Sequence, residues 1–402
     1  MGSEMCIRDR SLWIHSMGLR AADSFGVRNG TVFLCCVPIY HVLSWGVPLA
    51  AFMTGASLVF TGSNAEPEHL AHVIEDAMPR QAHGASSVWM SLLLHYEAHP
   101  PRRMSLQEIY SGGSQVPPAL IDAWEERFGV DMIHVWGMTE TSPIGTVAHP
   151  PAGVSGPARA RYRYSQGRFP IGLEYRVVND AGQVLDNHDR NAGELQVRGN
   201  TVTGSYYHSP TEQQDGTASV FRGHAVDDGD DRFTVDGWLR TGDIGTVTKD
   251  GFLTIHDRQS DLIRSGGEWI YSAALENYLM DRPGVNEASV IGIPDEKWGQ
   301  RPLAIVVLSE GFEPGAETAQ ELHDSLLSNV PRWMAPENWT FVNSIQRTSV
   351  EKFDKKELRK LFRKGQLQII TLPEEELGPE DTAEEIGTDA SGAPDAGAPK
   401  RN

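Results

Sequence analysis

Cysteine is scarce in this chain: 402 residues hold three, Cys6, Cys35 and Cys36. The last two are adjacent inside an apolar run. No Cys-x-x-Cys or mixed His/Cys spacing occurs, which argues against a disulfide framework and a zinc site. Apolar runs near the ~18 residues that a membrane-spanning helix requires are missing as well, and no signal-peptide pattern is apparent. Basic charge is short: 35 Lys and Arg stand against 54 Asp and Glu, a net charge of −19. A surface built for nucleic acid needs the opposite balance. The few thiols fit a reducing, cytoplasmic setting.

Hydrophobic residues make up 40% of the chain and charged residues 22%, the proportions of a globular protein with a large core, and the length allows two or three domains. Part of the negative charge is terminal: residues 373–402 carry nine acidic and two basic residues, a net of −7 that leaves −12 for the rest. Anionic ligands must therefore be met by local donors and metal, not by overall charge. The Glu-, Pro-, Gly- and Ala-rich residues 371–402 bury too little apolar surface to order themselves and read as a disordered acidic tail. Residues 1–10 do not read like the start of a domain and are set aside as an artefactual leader.

Between these ends the pattern alternates. Thr31–Val37, Ser57–Phe60, Gln107–Tyr110 and Met132–Val135 read as short strands. Residues 44–54, 66–78, 85–97 and 118–128 read as helices. That alternation predicts an α/β sheet. Beyond Ala160, Tyr175–Val178 and Gly193–Gly199 suggest a β-rich subdomain, and the acidic stretch 211–232 suggests a surface loop. A boundary falls at 257–262. After it, helices at 270–280 and 318–327 and strands at 285–293, 302–308 and 339–342 make a small α+β unit.

Four strings carry candidate chemistry. Gly112-Gly113-Ser114 follows a strand, and glycines there let backbone approach a flat ligand such as adenine; a plain strand-to-helix turn accounts for them equally well. Trp136-Gly137-Met-Thr139-Glu140 puts a hydroxyl and a carboxylate just past the next strand. Thr139 can donate to a phosphate oxygen, and Glu140 can hold Mg²⁺, a hard cation that takes oxygen ligands. Asp243, in Arg-Thr-Gly-Asp after the strand-like Trp238-Leu-Arg, can accept from vicinal ribose hydroxyls, with Arg258 fifteen residues on. The bland alternative is a turn-capping Asp. Lys352, in Arg347-Thr-Ser-Val-Glu-Lys, offers an ammonium that could offset charge developing at phosphorus; alone it would read as a basic loop before a terminal helix.

In this order the strings resemble the AMP-forming acyl-CoA synthetases of the adenylate-forming superfamily, and most closely the medium- and long-chain fatty-acid–CoA ligases. The resemblance spans about residues 11–365. It implies an α/β fold: a multi-subdomain AMP-binding N-terminal domain at 11–258, with its β-rich subdomain, and a small mobile α+β C-terminal lid domain at 259–370. It implies ATP, Mg²⁺ and coenzyme A, a fatty-acid substrate, and a homodimer as an open question. By the same resemblance Thr139 and Glu140 handle phosphate and metal. Asp243 and Arg258 hold ribose, while Gly112, Gly113, Ser114, Trp136 and Gly137 flank adenine. Lys352 serves adenylate formation, Gly266, Gly267 and Trp269 lie near the pantetheine path, and 257–262 is the hinge. Pro38-Ile-Tyr-His41-Val-Leu-Ser-Trp45 resembles the acyl-gating segment of the fatty-acyl branch, which places His41 and Trp45 beside the acyl group; a core aromatic and a core histidine are the alternative.

The chain departs from that family in four places. The Ser/Thr/Gly-rich phosphate loop expected just before Ser11 is missing, and with it the first part of the N-terminal domain, so an N-terminally truncated ligase of impaired activity is expected. Ser260 stands where Asp or Lys is usual at the hinge. Glu351 replaces Gly before Lys352, and Gln346 replaces Pro. These departures keep two rivals open: an aryl- or other acid–CoA ligase, and a non-catalytic nucleotide- or acyl-binding fragment.

Overall fold

The short apolar runs of the first half become a parallel sheet because each is too short for a helix and is bounded by turn residues. The computed structural model describes residues 8–62, 65–206, 232–347 and 353–373. Strands β1 (Val32–Cys35), β2 (Ser57–Phe60), β3 (Gln81–Gly84), β4 (Glu108–Gly112) and β5 (Asp131–Gly137) lie in the order β2-β1-β3-β4-β5, all parallel. Helices Val47–Thr54, Pro67–Ala77, Ser86–Ala98 and Pro118–Phe128 connect or flank them. Proline in the first turn of Pro67–Ala77 and Pro118–Phe128 fits because the missing N–H has no partner there anyway. The second of these stops at Gly129, which is left-handed. One face of the sheet buries Leu34, Ile109 and Met132 under Trp89 and Trp124. The other buries Phe33, Tyr110 and Ile133.

Strand β3 was not expected. Gln81-Ala-His-Gly has no apolar alternation, yet all four residues are buried. The polar groups are absorbed locally: the Gln81 amide donates to the Phe25 carbonyl and to Glu108, each at 2.6 Å. Beyond β5 the sheet continues through β6 (Ile144–Val147), β7 (Gly167–Arg168), β8 (Leu173–Val178), β9 (Gly193–Gly199), β10 (Leu239–Val247) and β11 (Phe252–Arg258). The eleven strands run β2-β1-β3-β4-β5-β6-β7-β11-β10-β9-β8. The strands after Ala160 therefore extend the same sheet, following the unexpected helix Gly156–Tyr164. The expected loop 211–232 lies, except for Arg232, outside the described residues.

The chain divides into two units, Met1–Thr241 with Gly245–Ile255, and Gly242–Ile244 with His256–Asn402. The second has its own sheet: β12 (Ile263–Ser265), β13 (Glu268–Ile270), β14 (Val285–Asp295), β15 (Gly299–Leu308), β16 (Asn338–Phe341) and β17 (Ile370–Thr371). Helices Ser272–Met280 and Ala316–Leu326 pack with it around Ala304, Val306 and Trp339, while helix Lys355–Arg363 contributes Leu358 to a second cluster with Ile291 and Ile305. Order runs past the expected end of the domain, since Leu372 is buried, and Asp9 and Arg10 of the expected leader already belong to helix Asp9–Gly18.

A buried polar network ties the residues at 257–261 into this second unit. Asp257 accepts from the Ser272 backbone N–H at 2.5 Å and from its hydroxyl at 2.7 Å. Lys355 reaches the same hydroxyl and pairs with Glu276, each at 2.7 Å. Burial alone would lower the Lys355 pKa, but the carboxylates of Glu276, Asp257 and Asp261 outweigh it and raise it. Arg359 pairs with Asp261 at 2.6 Å and donates to the Ser260 carbonyl at 3.0 Å.

Two tests follow from these cores. Lys355→Met leaves the Glu276 carboxylate buried without its counter-ion, so it should lower stability in urea denaturation by about 3 kcal/mol. Adding Glu276→Leu should recover most of that, and a loss below about 1 kcal/mol in the single variant would show that the pair matters little. In the first unit, burial pushes His15 down to about 3 and His83 and His134 to about 4. Their folded pKa values lie below the unfolded value, so the unfolded chain binds more protons between pH 6.5 and 4. Stability is full well above pH 6.5 and falls as the pH drops toward 4, by roughly 2 kcal/mol per histidine at pH 5. A melting temperature unchanged between pH 7 and 5 would contradict this.

Candidate functional site

The carboxyl ends of β4 and β5 are adjacent, with Gly112 opposite Val135, and ligands of open α/β sheets bind at such ends. Gly112 must be glycine because a Cβ there would strike the Val135 carbonyl; Gly137 likewise lies against the Pro143 carbonyl. Gly112 is buried, whereas Gly113 and Ser114 are exposed. The Ser114 hydroxyl is 3.0 Å from that of Ser86. Trp136 itself packs inward, 7% exposed among Phe169, Leu173 and Leu195, so its indole serves the core and its backbone faces the strand end.

After Gly137 the chain makes a tight 3-10 turn, Thr139–Thr141. Thr139 is half-buried and Glu140 is 7% exposed. Glu140 is not solvated: the Tyr206 hydroxyl donates to it at 2.8 Å, Arg232 approaches to 3.9 Å, and its carbonyl accepts from the Thr203 N–H at 2.7 Å. The Arg232 guanidinium also lies 4.6 Å over the Tyr206 ring. Neither Tyr206 nor Arg232 was legible as a site residue, since 26 positions separate them and nothing in spacing links them to Glu140. Among the described residues no group of three or more His, Cys, Asp or Glu side chains stands ready for a metal. A magnesium ion needs only one or two protein carboxylates when phosphates supply the rest, so Glu140 fits a metal that arrives with a nucleotide.

Asp243 and Arg258 meet in the second unit. Asp243 was expected after a strand; it lies inside the nine-residue β10, 2% exposed. Its carboxylate pairs with the Arg258 Nε at 2.9 Å, and the Gln259 N–H donates to the Gly242 carbonyl at 2.8 Å. The result is a fixed acceptor beside a guanidinium that is 44% exposed. Gly266 and Gly267 form the β12–β13 turn with φ of 61° and 92°. Gly266 lies under the Trp298 indole so closely that a Cβ would collide with the ring, and Trp269 is half-buried on the strand that follows. Lys352 and its neighbour Glu351 lie outside the described residues; the flanking Arg347 and Phe353 bridge one another, and Arg347 pairs with Glu287 at 2.7 Å.

His41 is half-buried and Trp45 is 6% exposed. Between them Val42, Leu43, Ser44 and Trp45 all have φ between 46° and 57°. Four successive left-handed residues without glycine are strained. Ser44 holds them, donating its hydroxyl to the Val37 carbonyl at 2.7 Å and standing 3.1 Å from His83.

Comparison with known proteins matches both parts of the chain. The profile of the AMP-binding enzyme family matches residues 10–207, and that of the AMP-binding enzyme C-terminal domain matches 274–352. A 3-methylmercaptopropionyl-CoA ligase of Ruegeria pomeroyi is 35% identical over 88% of this chain and 62% of its own length. A medium-chain-fatty-acid–CoA ligase of Ectopseudomonas oleovorans is 36% identical over 88% and 61%, and a long-chain-fatty-acid–CoA ligase of Thermus thermophilus 34% over 88% and 62%. The chain thus spans about 62% of the length of the curated relatives it matches. Among solved structures, o-succinylbenzoate CoA synthetase of Bacillus subtilis, in complex with its acyl-adenylate intermediate, superposes with a TM-score of 0.72 at 25% identity, covering 89% of this chain and 66% of that one. With both domains matched in order on this fold, the chain belongs to the AMP-binding enzyme family.

Proposed function

We propose that this chain serves ATP-dependent activation of a fatty or related carboxylic acid and its transfer to coenzyme A. The observation that carries the reading is the Asp243–Arg258 pair: a 2%-exposed carboxylate on a rigid strand with an arginine at 2.9 Å. Such a carboxylate accepts from both hydroxyls of a ribose, and the guanidinium adds a donor. The relatives named as acyl-CoA ligases, and the solved acyl-adenylate complex, support the same reaction class.

In this reading the substrate carboxylate attacks the α-phosphorus of ATP, the bond to pyrophosphate breaks, and an acyl-adenylate forms. The thiol of coenzyme A then attacks the acyl carbon, losing its proton, and AMP leaves. Asp243 and Arg258 hold the ribose. Gly112–Ser114 and the backbone at Trp136 and Gly137 leave room for the base. Thr139 donates to phosphate, and Glu140 turns from Tyr206 and Arg232 toward the metal that accompanies the triphosphate. That ion supplies charge neutralisation at the phosphates. Lys352 brings an ammonium to the α-phosphate, and the Gly266–Gly267 turn with Trp269 borders the pantetheine. Cys35 and Cys36 are free thiols, in keeping with a cytoplasmic setting.

The test uses the 402-residue chain and a non-hydrolysable acyl-adenylate, an acylsulfamoyl adenosine, in calorimetry. Saturable binding is expected. Asp243→Ala should weaken it on the order of tenfold to a hundredfold, the effect of losing two hydrogen bonds to a charged acceptor. Absence of saturable binding, or an unchanged affinity in the variant, would overturn the reading.

A further inference from the structure

The turn between β10 and β11 stands beside β7 and β8, and together they line an open cleft of about 500 Å³. That is the size of an ordinary small-molecule site. Its apolar side is built from Phe169, Ile171, Leu173, Tyr175 and Trp238. Phe169 and Tyr175 stack with ring centroids 4.2 Å apart, which stiffens this wall. Ile171 stands on the rim wholly in solvent, where an aliphatic side chain gains from cover. No residue of the cleft belongs to the set that serves nucleotide, metal, acyl group or pantetheine in the proposed reaction.

The charges in the cleft are used unequally. Its two acids are engaged: Glu174 pairs with Arg198 at 2.6 Å, and Asp250 accepts from the Thr248 and Tyr162 hydroxyls at 2.5 and 2.7 Å. Its two cations, Arg168 and Lys249, are exposed, and neither side chain has an ion-pair or hydrogen-bond partner among the described residues. In a chain with 54 acids against 35 Lys and Arg, two unmet cations on one wall reverse the field locally. The Tyr175 hydroxyl is a third donor. It accepts from the Asn187 amide at 2.9 Å, and its own proton has no acceptor among the described residues. The space beside Gly251, where any other residue would carry a side chain, opens between two of these donors. The Cβ position there lies 3.5 Å from the Tyr175 hydroxyl and 3.9 Å from the Arg168 Nε.

An apolar wall beside unmet donors suits a molecule with a hydrocarbon body and an anionic head. The engaged acids nearby disfavour a dianion, so a head of single charge fits. We propose that the cleft is a further binding site, for an aliphatic carboxylate. Arg168, Lys249 and the Tyr175 hydroxyl take the head, and the chain lies along Phe169, Leu173 and Ile171. Charged donors of this kind make the stronger class of hydrogen bond to a carboxylate. The site stands apart from the proposed reaction and does not depend on it.

The test is calorimetry of the 402-residue chain with decanoate, the acylsulfamoyl adenosine being present at saturation to close the proposed reaction site. Saturable binding is expected. Decanol, with the same chain and no charge, should bind at least about tenfold more weakly, the worth of hydrogen bonds to a charged group. Arg168→Gln combined with Lys249→Gln should weaken decanoate by a similar factor and leave the affinity for the acylsulfamoyl adenosine unchanged. Ile171→Asp, a change at a fully exposed position, should weaken decanoate as well and tests the apolar half of the cleft separately. No saturable decanoate binding, equal binding of decanol, or unchanged affinity in the double variant would refute the site and leave the acyl-activating reading intact. If the acylsulfamoyl adenosine itself does not bind, that reading fails, and decanoate titrated alone into wild type and double variant still decides the cleft.

Discussion

The carboxylate of Asp257 sits where three parts of the second unit meet, and the order of that unit depends on it. It accepts from the first backbone N–H groups of helix Ser272–Met280, at 2.5 Å from Ser272 and 3.4 Å from Ala273, which lack partners within the helix. It sits at the positive end of that helix, where a negative charge is favoured. Through the Ser272 hydroxyl it also meets Lys355, which has Glu276 on its other side. One acid thus joins the end of β11, the start of one helix and the start of another 83 residues later in sequence. The ion pair is buried, so its value lies less in net stability than in fixing a single arrangement. That arrangement fixes the start of helix Lys355–Arg363, which Asp354 caps while its N–H donates to the Gln346 carbonyl at 2.8 Å.

The first unit solves a different problem. Its strand ends must bring backbone close together while presenting polar groups, and glycine makes the first possible: Gly112 and Gly137 lie against carbonyl oxygens where no side chain fits. The turn at Val42–Trp45 is the counterpart, four non-glycine residues in a conformation that glycine alone adopts easily. It persists because Ser44 is bonded on two sides and Trp45 is packed beside His83. Strain held by its surroundings in this way is a property of sites more than of scaffolds.

What the sequence reveals follows the range of the interaction. Ser57–Phe60 and Pro118–Phe128 are legible to the residue, because a short apolar run between turns and a helix opening on proline and closing on glycine are local signals. Gln81–Gly84 is illegible because its burial is made acceptable by Phe25 and Glu108, neither of them near in sequence. Thr139, Glu140, Asp243 and Arg258 could be picked out by residue type and string. That Glu140 is held by Tyr206, and that Asp243 lies within a strand and not after it, could not, since both depend on how distant strands pair. The Lys355–Glu276 pair likewise joins residues far apart in sequence.

Charge gives the most general constraint. In the proposed reaction a chain of net −19 has to receive anionic ligands, and its bulk field opposes them. The structure answers locally. The two acids suited to nucleotide chemistry each have an arginine nearby, Glu140 with Arg232 at 3.9 Å and Asp243 with Arg258 at 2.9 Å. Both arginines are substantially exposed, at 58% and 44%, so each can move while its acid stays buried. An approaching phosphate or ribose therefore meets a guanidinium before it meets a carboxylate, and the carboxylate becomes available only as the arginine turns to the ligand. The acid of each pair is buried, so the ligand must take up the charge that the arginine leaves as it turns.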